Sequence, residues 1–349
     1  MAPDMRSILR FFGVILFLLL GFVFYIFLTT GYFRSIDNMS DRVSDTLLIK
    51  GAEDIAISRT DSFLIVSSTD RRLAADQGII EGGLYFVDLK TSEFRTEKIE
   101  TSWKGNFAPH GISMFRIGPG YYRIMAINHA EGHSVEVFEW KDSKMSHLET
   151  LKNDLMVSPN DLVMVSENEF YFTNDHKYTS GIGRFAEDYG GLALSNVIFF
   201  DGTSYREVAS GIAYANGINF DSSRKLLYVA SPRSFEINVY DVNEDGTLAF
   251  QSIIPCGTGI DNLELDENGD IWTAGHPNLL KFTSYAAGKS DISPSEVLRI
   301  SYRDKSDYSI QQVYVEDGQI LSGSSVAVPF GPYVFVGSVM DDEVLIINL

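Results

Sequence analysis

Asp161-Leu-Val-Met, Phe170-Tyr-Phe-Thr-Asn and Val197-Ile-Phe-Phe-Asp follow one another in the middle of the chain. Each is a short run rich in β-branched and aromatic residues, closed by polar or turn-forming ones, and reads as a strand. The same ordered trio recurs along the sequence. The first member returns as Asp54-Ile-Ala-Ile, Gly111-Ile-Ser-Met, Gly217-Ile-Asn-Phe, Asn262-Leu-Glu-Leu and Ser325-Val-Ala-Val. The second returns as Phe63-Leu-Ile-Val-Ser-Ser, Tyr122-Arg-Ile-Met-Ala-Ile-Asn, Leu226-Leu-Tyr-Val-Ala, Asp270-Ile-Trp-Thr-Ala-Gly and Tyr333-Val-Phe-Val-Gly-Ser. The third returns as Leu84-Tyr-Phe-Val-Asp, Val135-Glu-Val-Phe-Glu, Ile237-Asn-Val-Tyr-Asp, Leu279-Leu-Lys-Phe and Val344-Leu-Ile-Ile-Asn.

A three-strand unit repeated in this way predicts an all-β, six-bladed propeller. A sandwich could hold as many strands but would not repeat the unit. The more variable His147-Leu-Glu-Thr-Leu and Val313-Tyr-Val-Glu are expected as outer fourth strands, and Thr46-Leu-Leu-Ile as the strand that closes the ring. No useful helical periodicity is seen beyond about residue 35.

In a propeller the first strand of every blade lines the central channel, so residues that begin these strands converge. Here they are Glu53-Asp54, Pro109-His110, Asn160-Asp161, Asn216, Asp261-Asn262 and Ser324-Ser325. Asn and Asp also favour turns before strands, but five of six blades carry Asp, Asn, Glu or His at this one step. Carboxylates and amide carbonyls are hard oxygen donors. Calcium takes six to eight of them in loose geometry, whereas magnesium keeps more water and zinc prefers His and Cys. Calcium is the expected ion. Of six histidines, His110, His129, His176 and His276 fall at channel-side strand ends. Imidazoles beside a metal suit general-base chemistry.

The N-terminus carries a second signal. Phe11 to Leu28 holds no charge, and the apolar stretch extends to Phe33. It is long enough to cross a bilayer, and no Ala-x-Ala cleavage site follows. Arg6 and Arg10 precede it, which by the positive-inside rule keeps the N-terminus cytoplasmic. The expected organisation is a cytoplasmic segment 1–10, a signal anchor 11–33, a linker 34–44 and an extracytoplasmic propeller 45–349. Asn38-Met39-Ser40 is a glycosylation sequon for a eukaryotic host. The net charge of −19 disfavours nucleic acid as a partner. Cys256, the one cysteine, can form no disulfide within the chain.

Asn106-Phe-Ala-Pro-His-Gly-Ile-Ser113, Ser158-Pro-Asn-Asp-Leu162, Thr173-Asn-Asp-His176, Ala215-Asn-Gly-Ile-Asn219, Asp261-Asn262 and Gly275-His-Pro-Asn278 resemble the blocks of the paraoxonase/arylesterase family, in that family's order. Glu53-Asp54 resembles its first metal pair. The resemblance implies two calcium ions. The catalytic one would be held by Glu53, Asn160, Asn216, Asp261 and Asn262. The structural one would be held by Asp54, Asp161 and the backbone of Ile112. His110 and His129 match the family's histidine pair. The mammalian disulfide is absent. Thr69-Asp-Arg-Arg-Leu is a charged loop where the family's substrate wall is more apolar.

The expected function is a calcium-dependent hydrolase of carboxylic esters, an arylesterase or lactonase acting on a small molecule. Calcium would polarise the carbonyl while His110, assisted by His129, deprotonates water. No Gly-x-Ser-x-Gly elbow is present, so no covalent nucleophile is invoked. The sequence also admits two rivals: a non-catalytic, membrane-tethered propeller acting as a chaperone or assembly factor, and a gluconolactonase-like sugar lactonase.

Overall fold

The computed structural model describes residues 5–101 and 103–349. Residues 1–4, part of the segment expected in the cytoplasm, lie outside the described residues. Six four-stranded antiparallel sheets succeed one another along the chain, so the fold is a six-bladed propeller. Blade 1 is built from Ala52–Ser58, Phe63–Thr69, Gly82–Asp88 and Thr96–Lys98. Blade 2 comprises Pro109–Gly118, Tyr121–Asn128, Ser134–Lys141 and Lys144–Leu151, and blade 3 Pro159–Met164, Phe170–Asn174, Ser195–Phe200 and Tyr205–Ile212. Blade 4 comprises Ile218–Asp221, Leu226–Ser231, Glu236–Val242 and Leu248–Pro255, and blade 5 Gly259–Leu265, Ile271–His276, Ser295–Asp304 and Asp307–Glu316. In blade 6, Ser324–Phe330, Tyr333–Ser338 and Glu343–Asn348 take their fourth strand from Val43–Leu48. Thr46 pairs with Leu345, so the ring closes with a strand from the opposite end of the chain.

The inner strands are apolar on both faces because each blade is covered by its two neighbours. Leu64, Val66, Phe335, Val344 and Ile346 are fully buried in one continuous cluster shared by blades 6 and 1. Each such side chain contributes about 1.5–3 kcal/mol of apolar burial. Outer strands such as Lys144–Leu151 are mostly exposed or half-buried, which is why their sequences vary and read weakly.

Three short helices depart from the expectation of an all-strand domain. Arg71–Gln77, Gly181–Asp188 and Leu279–Ala286 link the second and third strands of blades 1, 3 and 5. The last of them corrects the reading of Leu279-Leu-Lys-Phe as a strand. Asn278 accepts a hydrogen bond from the Lys281 amide at 3.0 Å and so caps a helix; the third strand of blade 5 is Ser295–Asp304. All three helices lie at the end of the propeller where the first strands begin.

The N-terminal helix runs over Met5–Thr29, about 37 Å at about 1.5 Å per residue. It is apolar and long enough to span a membrane. Gly31, at φ +72, takes the left-handed conformation that terminates helices. A side chain there would collide with the Pro277 carbonyl. The helix end is docked rather than tethered. Tyr25 donates to Gly190 O at 3.1 Å, Arg233 donates to Thr29 O at 3.1 Å and to Thr29 Oγ1 at 3.0 Å, and the Leu279 amide donates to Thr30 O at 3.0 Å. Arg34 then forks onto the buried carboxylate of Glu296. The helix therefore leaves the propeller from the face that carries the three short helices.

Candidate metal centre and active site

The first strands share a local irregularity. Pairing with the second strand shifts register between Ala52 and Ile55, Pro109 and Ile112, Pro159 and Leu162, Ile260 and Leu263, and Ser324 and Val326. A bulge places two residues opposite one and re-aims side chains. These five bulges contain Glu53-Asp54, His110-Gly111, Asn160-Asp161, Asp261-Asn262 and Ser325. Consecutive polar side chains can thus all serve the channel instead of alternating across the sheet. Two glycines make this spacing possible. A Cβ on Gly111 would overlap Asp161, and one on Gly217 would overlap the backbone of Asp261 and Asn262.

Two cavities result. The outer one, of about 220 Å³, is lined by Glu53, His110, Asn160, Asn216, Asp261 and His276, with Thr30, Tyr214, Leu279, Leu280, Phe282 and Val339 above them. The inner one, of about 200 Å³, is lined by Asp54, Ile112 and Asp161 together with Glu264. The residues named from sequence for an outer and an inner ion thus fall into separate chambers, apart from Asn262, which is hydrogen-bonded to Glu53 at 2.9 Å.

The outer set leaves oxygen atoms without partners. Glu53 Oε2, Asn160 Oδ1, Asn216 Oδ1 and Asn262 Oδ1 are all buried and accept no hydrogen bond. An orphaned buried acceptor costs about 1–3 kcal/mol, and four oxygen acceptors converging at one place fit a cation. Burial raises the pKa of Glu53 and of Asp261 above the usual carboxylate range, against the lowering pull of Arg71 on Glu53 and of His276 on Asp261. Only two of the five outer donors are carboxylates. Accordingly, among the described residues no cluster of three His, Cys, Asp or Glu side chains forms a site alone. Mixed amide and carboxylate oxygens fit calcium.

The inner carboxylates act as staples. Asp54 accepts from the Ile55 amide at 2.8 Å and from the Ile112 amide of blade 2 at 2.7 Å. Asp161 accepts from Leu162 at 2.7 Å and from Ile218 of blade 4 at 2.8 Å. Burial raises the pKa of both well above normal. Asp54→Ala or Asp161→Ala leaves two buried amides unpaired at a blade junction, and in calcium should cost on the order of 3 kcal/mol. Urea melts of the calcium-loaded variants measure this; unchanged midpoints would remove the staple.

His110 is held by two neighbours. Arg71 Nη2 donates to its Nδ1 at 3.1 Å, and its Nε2 lies 3.5 Å from Glu53 Oε1. Neutral His110 therefore carries its proton on Nε2. Burial first, and Arg71 second, push its pKa down to about 3. The cation that adds to the effect of burial is a guanidinium of the chain itself. Arg71 had been read as part of a charged loop, but Asp70 caps a helix by accepting from the Leu73 amide at 2.8 Å. That helix start turns Arg71 inward, onto the carbonyls of Gly51 at 3.2 Å and Val339 at 3.1 Å as well.

The remaining histidines divide. The His129 ring lies 5.0 Å from that of His110, edge to face. His276 Nε2 donates to Asp261 Oδ2 at 3.1 Å, and the ring stacks on Phe282. His176 is buried and bridges Asp175 at 2.7 Å and Asp188 at 2.8 Å, and it does not line the outer cavity. It ties the helix Gly181–Asp188 to the rim. His133, passed over in the sequence, touches His129; its only signal was the His-x-x-x-His spacing.

The arylesterase family model matches residues 72–347. The chain belongs to the arylesterase family. Serum paraoxonase/arylesterase 2 of Rattus norvegicus is 34% identical over 264 residues, 74% of each chain. Serum paraoxonase/arylesterase 1 of Mus musculus is 33% identical over 266 residues, again 74% of each. Among solved structures, a gluconolactonase from Xanthomonas campestris superposes with a TM-score of 0.52 at 14% identity, covering 90% of this chain and 94% of that one. The calcium-binding regucalcin of Agrobacterium tumefaciens superposes at 0.51 and 13% identity, covering 90% and 93%. At such identities these two neighbours speak for the shared propeller alone. The arylesterase family match, by contrast, spans most of the blades.

Proposed function

We propose that this arylesterase-family protein is a calcium-dependent hydrolase of small carboxylic esters and lactones. Its family and its paraoxonase/arylesterase relatives support an esterase or lactonase. The observation that carries the calcium reading is the set of four orphaned oxygens on Glu53, Asn160, Asn216 and Asn262, beside a cavity that His110 also lines. Calcium there supplies positive charge for an ester carbonyl and its developing oxyanion. The chain's own residues do the rest. Leu279, Leu280, Phe282 and Val339 give the cavity an apolar wall beside its oxygen donors, and Arg184, Asp188, Tyr214 and Arg233 line the rest. His110 and His129 serve the attacking water, both kept neutral, chiefly by burial, and only a neutral ring accepts a proton. Arg71 occupies Nδ1 of His110, so that nitrogen becomes a base only when Arg71 releases it. Asp54 and Asp161, with Ile112 between them, would hold a second, structural ion in the inner chamber.

A panel of lactones and aryl esters, assayed with calcium and with chelator, tests this reading. Hydrolysis that disappears with chelator is expected. A protein that binds calcium and hydrolyses none of the panel would favour a scaffold.

The helix Met5–Thr29 anchors the protein with the propeller outside the cytoplasm, by the charge of Arg6 and Arg10. Protease added to sealed, right-side-out vesicles should degrade the propeller; protection would reverse the orientation. Because the helix leaves from the face of the outer cavity, with Thr30 in the cavity wall, the site opens toward the membrane surface.

A further inference from the structure

The loop after the second strand of blade 2 reads His129-Ala-Glu-Gly-His133. Gly132, at φ +87, turns the chain so that His133 folds back on His129. Their Nδ1 atoms are 2.9 Å apart, and the rings meet edge to face at 5.0 Å. One of the two nitrogens carries the shared proton and the other accepts it. With the His110–His129 contact at 5.0 Å, three imidazoles run in file from the cavity to a loop whose Glu131 and Gly132 are exposed.

Hydrolysis gives such a file something to carry. The water oxygen bonds to the carbonyl carbon, and the bond to the leaving oxygen breaks. One water proton ends on that oxygen. The other is shed by the acid product at neutral pH, so each turnover releases one proton. The outer cavity is walled partly by apolar side chains and partly by Arg184, Asp188, Tyr214 and Arg233, whereas the file His110, His129, His133 leads out of it to an exposed loop. We propose that His133 relays the released proton from His129 to solvent. His133 acts through His129 and is a positioning residue, not a catalytic one. The proposal rests on the hydrolytic reading above. The charged and titratable groups facing His129 are His110, His133, Arg71 and Asp175; Asp175 also faces His133, while Glu131 is engaged by Asn106 at 2.7 Å. Among the described residues no carboxylate hydrogen-bonds either ring, so the proton is not held part-way.

The test uses the full chain, calcium-loaded, with His133→Gln and His133→Phe. At low buffer concentration kcat on an aryl ester should fall about tenfold, less than the roughly 10²–10⁴ attributed to a general base. KM and melting temperature should be unchanged, and added imidazole buffer should restore kcat. A merely structural role would not respond to imidazole. Undiminished kcat at low buffer, or a loss that imidazole leaves in place, overturns the relay while the hydrolase stands. A wild-type protein without hydrolysis overturns both.

Discussion

Asp261→Ala should abolish hydrolysis while leaving the six blades folded. Asp261 and Glu53 are the only carboxylates in the outer set, and calcium affinity follows the number of ligand charges. Removing one halves the charge available to the ion. A Lewis acid is worth several kcal/mol at the developing oxyanion, and each 1.36 kcal/mol is tenfold in rate. The loss should therefore reach about 10³-fold or more in kcat/KM. The fold should persist because Asp261 staples no blade. It is a buried carboxylate whose one side-chain partner among the described residues is His276 at 3.1 Å, and burial already opposes its charge. Kinetics over a calcium titration check this, together with melting temperature. Wild-type kcat/KM at moderate calcium would exclude Asp261 from the centre.

His110→Gln is the second large effect. Glutamine keeps the size and a donor toward Glu53 but cannot accept a proton from water. The expected loss is about 10²–10⁴ in kcat, with calcium still bound. The pH profile adds a sign. A folded-state pKa near 3 keeps His110 neutral throughout the working range. Its acidic limb therefore lies well below the 6.5 of free imidazole, and protonation of His110 removes no activity between pH 7 and 6. A His110→Gln enzyme as fast as wild type would leave the water to the ion and to Glu53.

The fold was legible because inner strands buried on both faces are written as apolar runs, and those runs recur. Where a run was too short to show a period, the reading failed. Leu279-Leu-Lys-Phe has the composition of a strand, but the Asn278 cap makes it a helix. The polar pairs Glu53-Asp54, Asn160-Asp161 and Asp261-Asn262 stood out because they begin first strands at one shared step, and the bulges let both side chains of each pair serve the channel. Arg71 and His133 were not legible in the same way. Arg71 touches His110 only because a capped helix turns it inward. His133 reaches His129 only because of the turn at Gly132. Both depend on loop geometry that no periodicity records.

The most direct test of a calcium-dependent hydrolase is to follow ester hydrolysis and melting temperature together, first as calcium is withdrawn by chelator and then as it is returned. The account predicts two steps. Activity disappears with the outer ion while the propeller still melts cooperatively at high temperature. Melting temperature then falls as the inner ion leaves Asp54 and Asp161. Readdition of calcium restores activity. Full hydrolysis after exhaustive chelation would contradict the account at its centre.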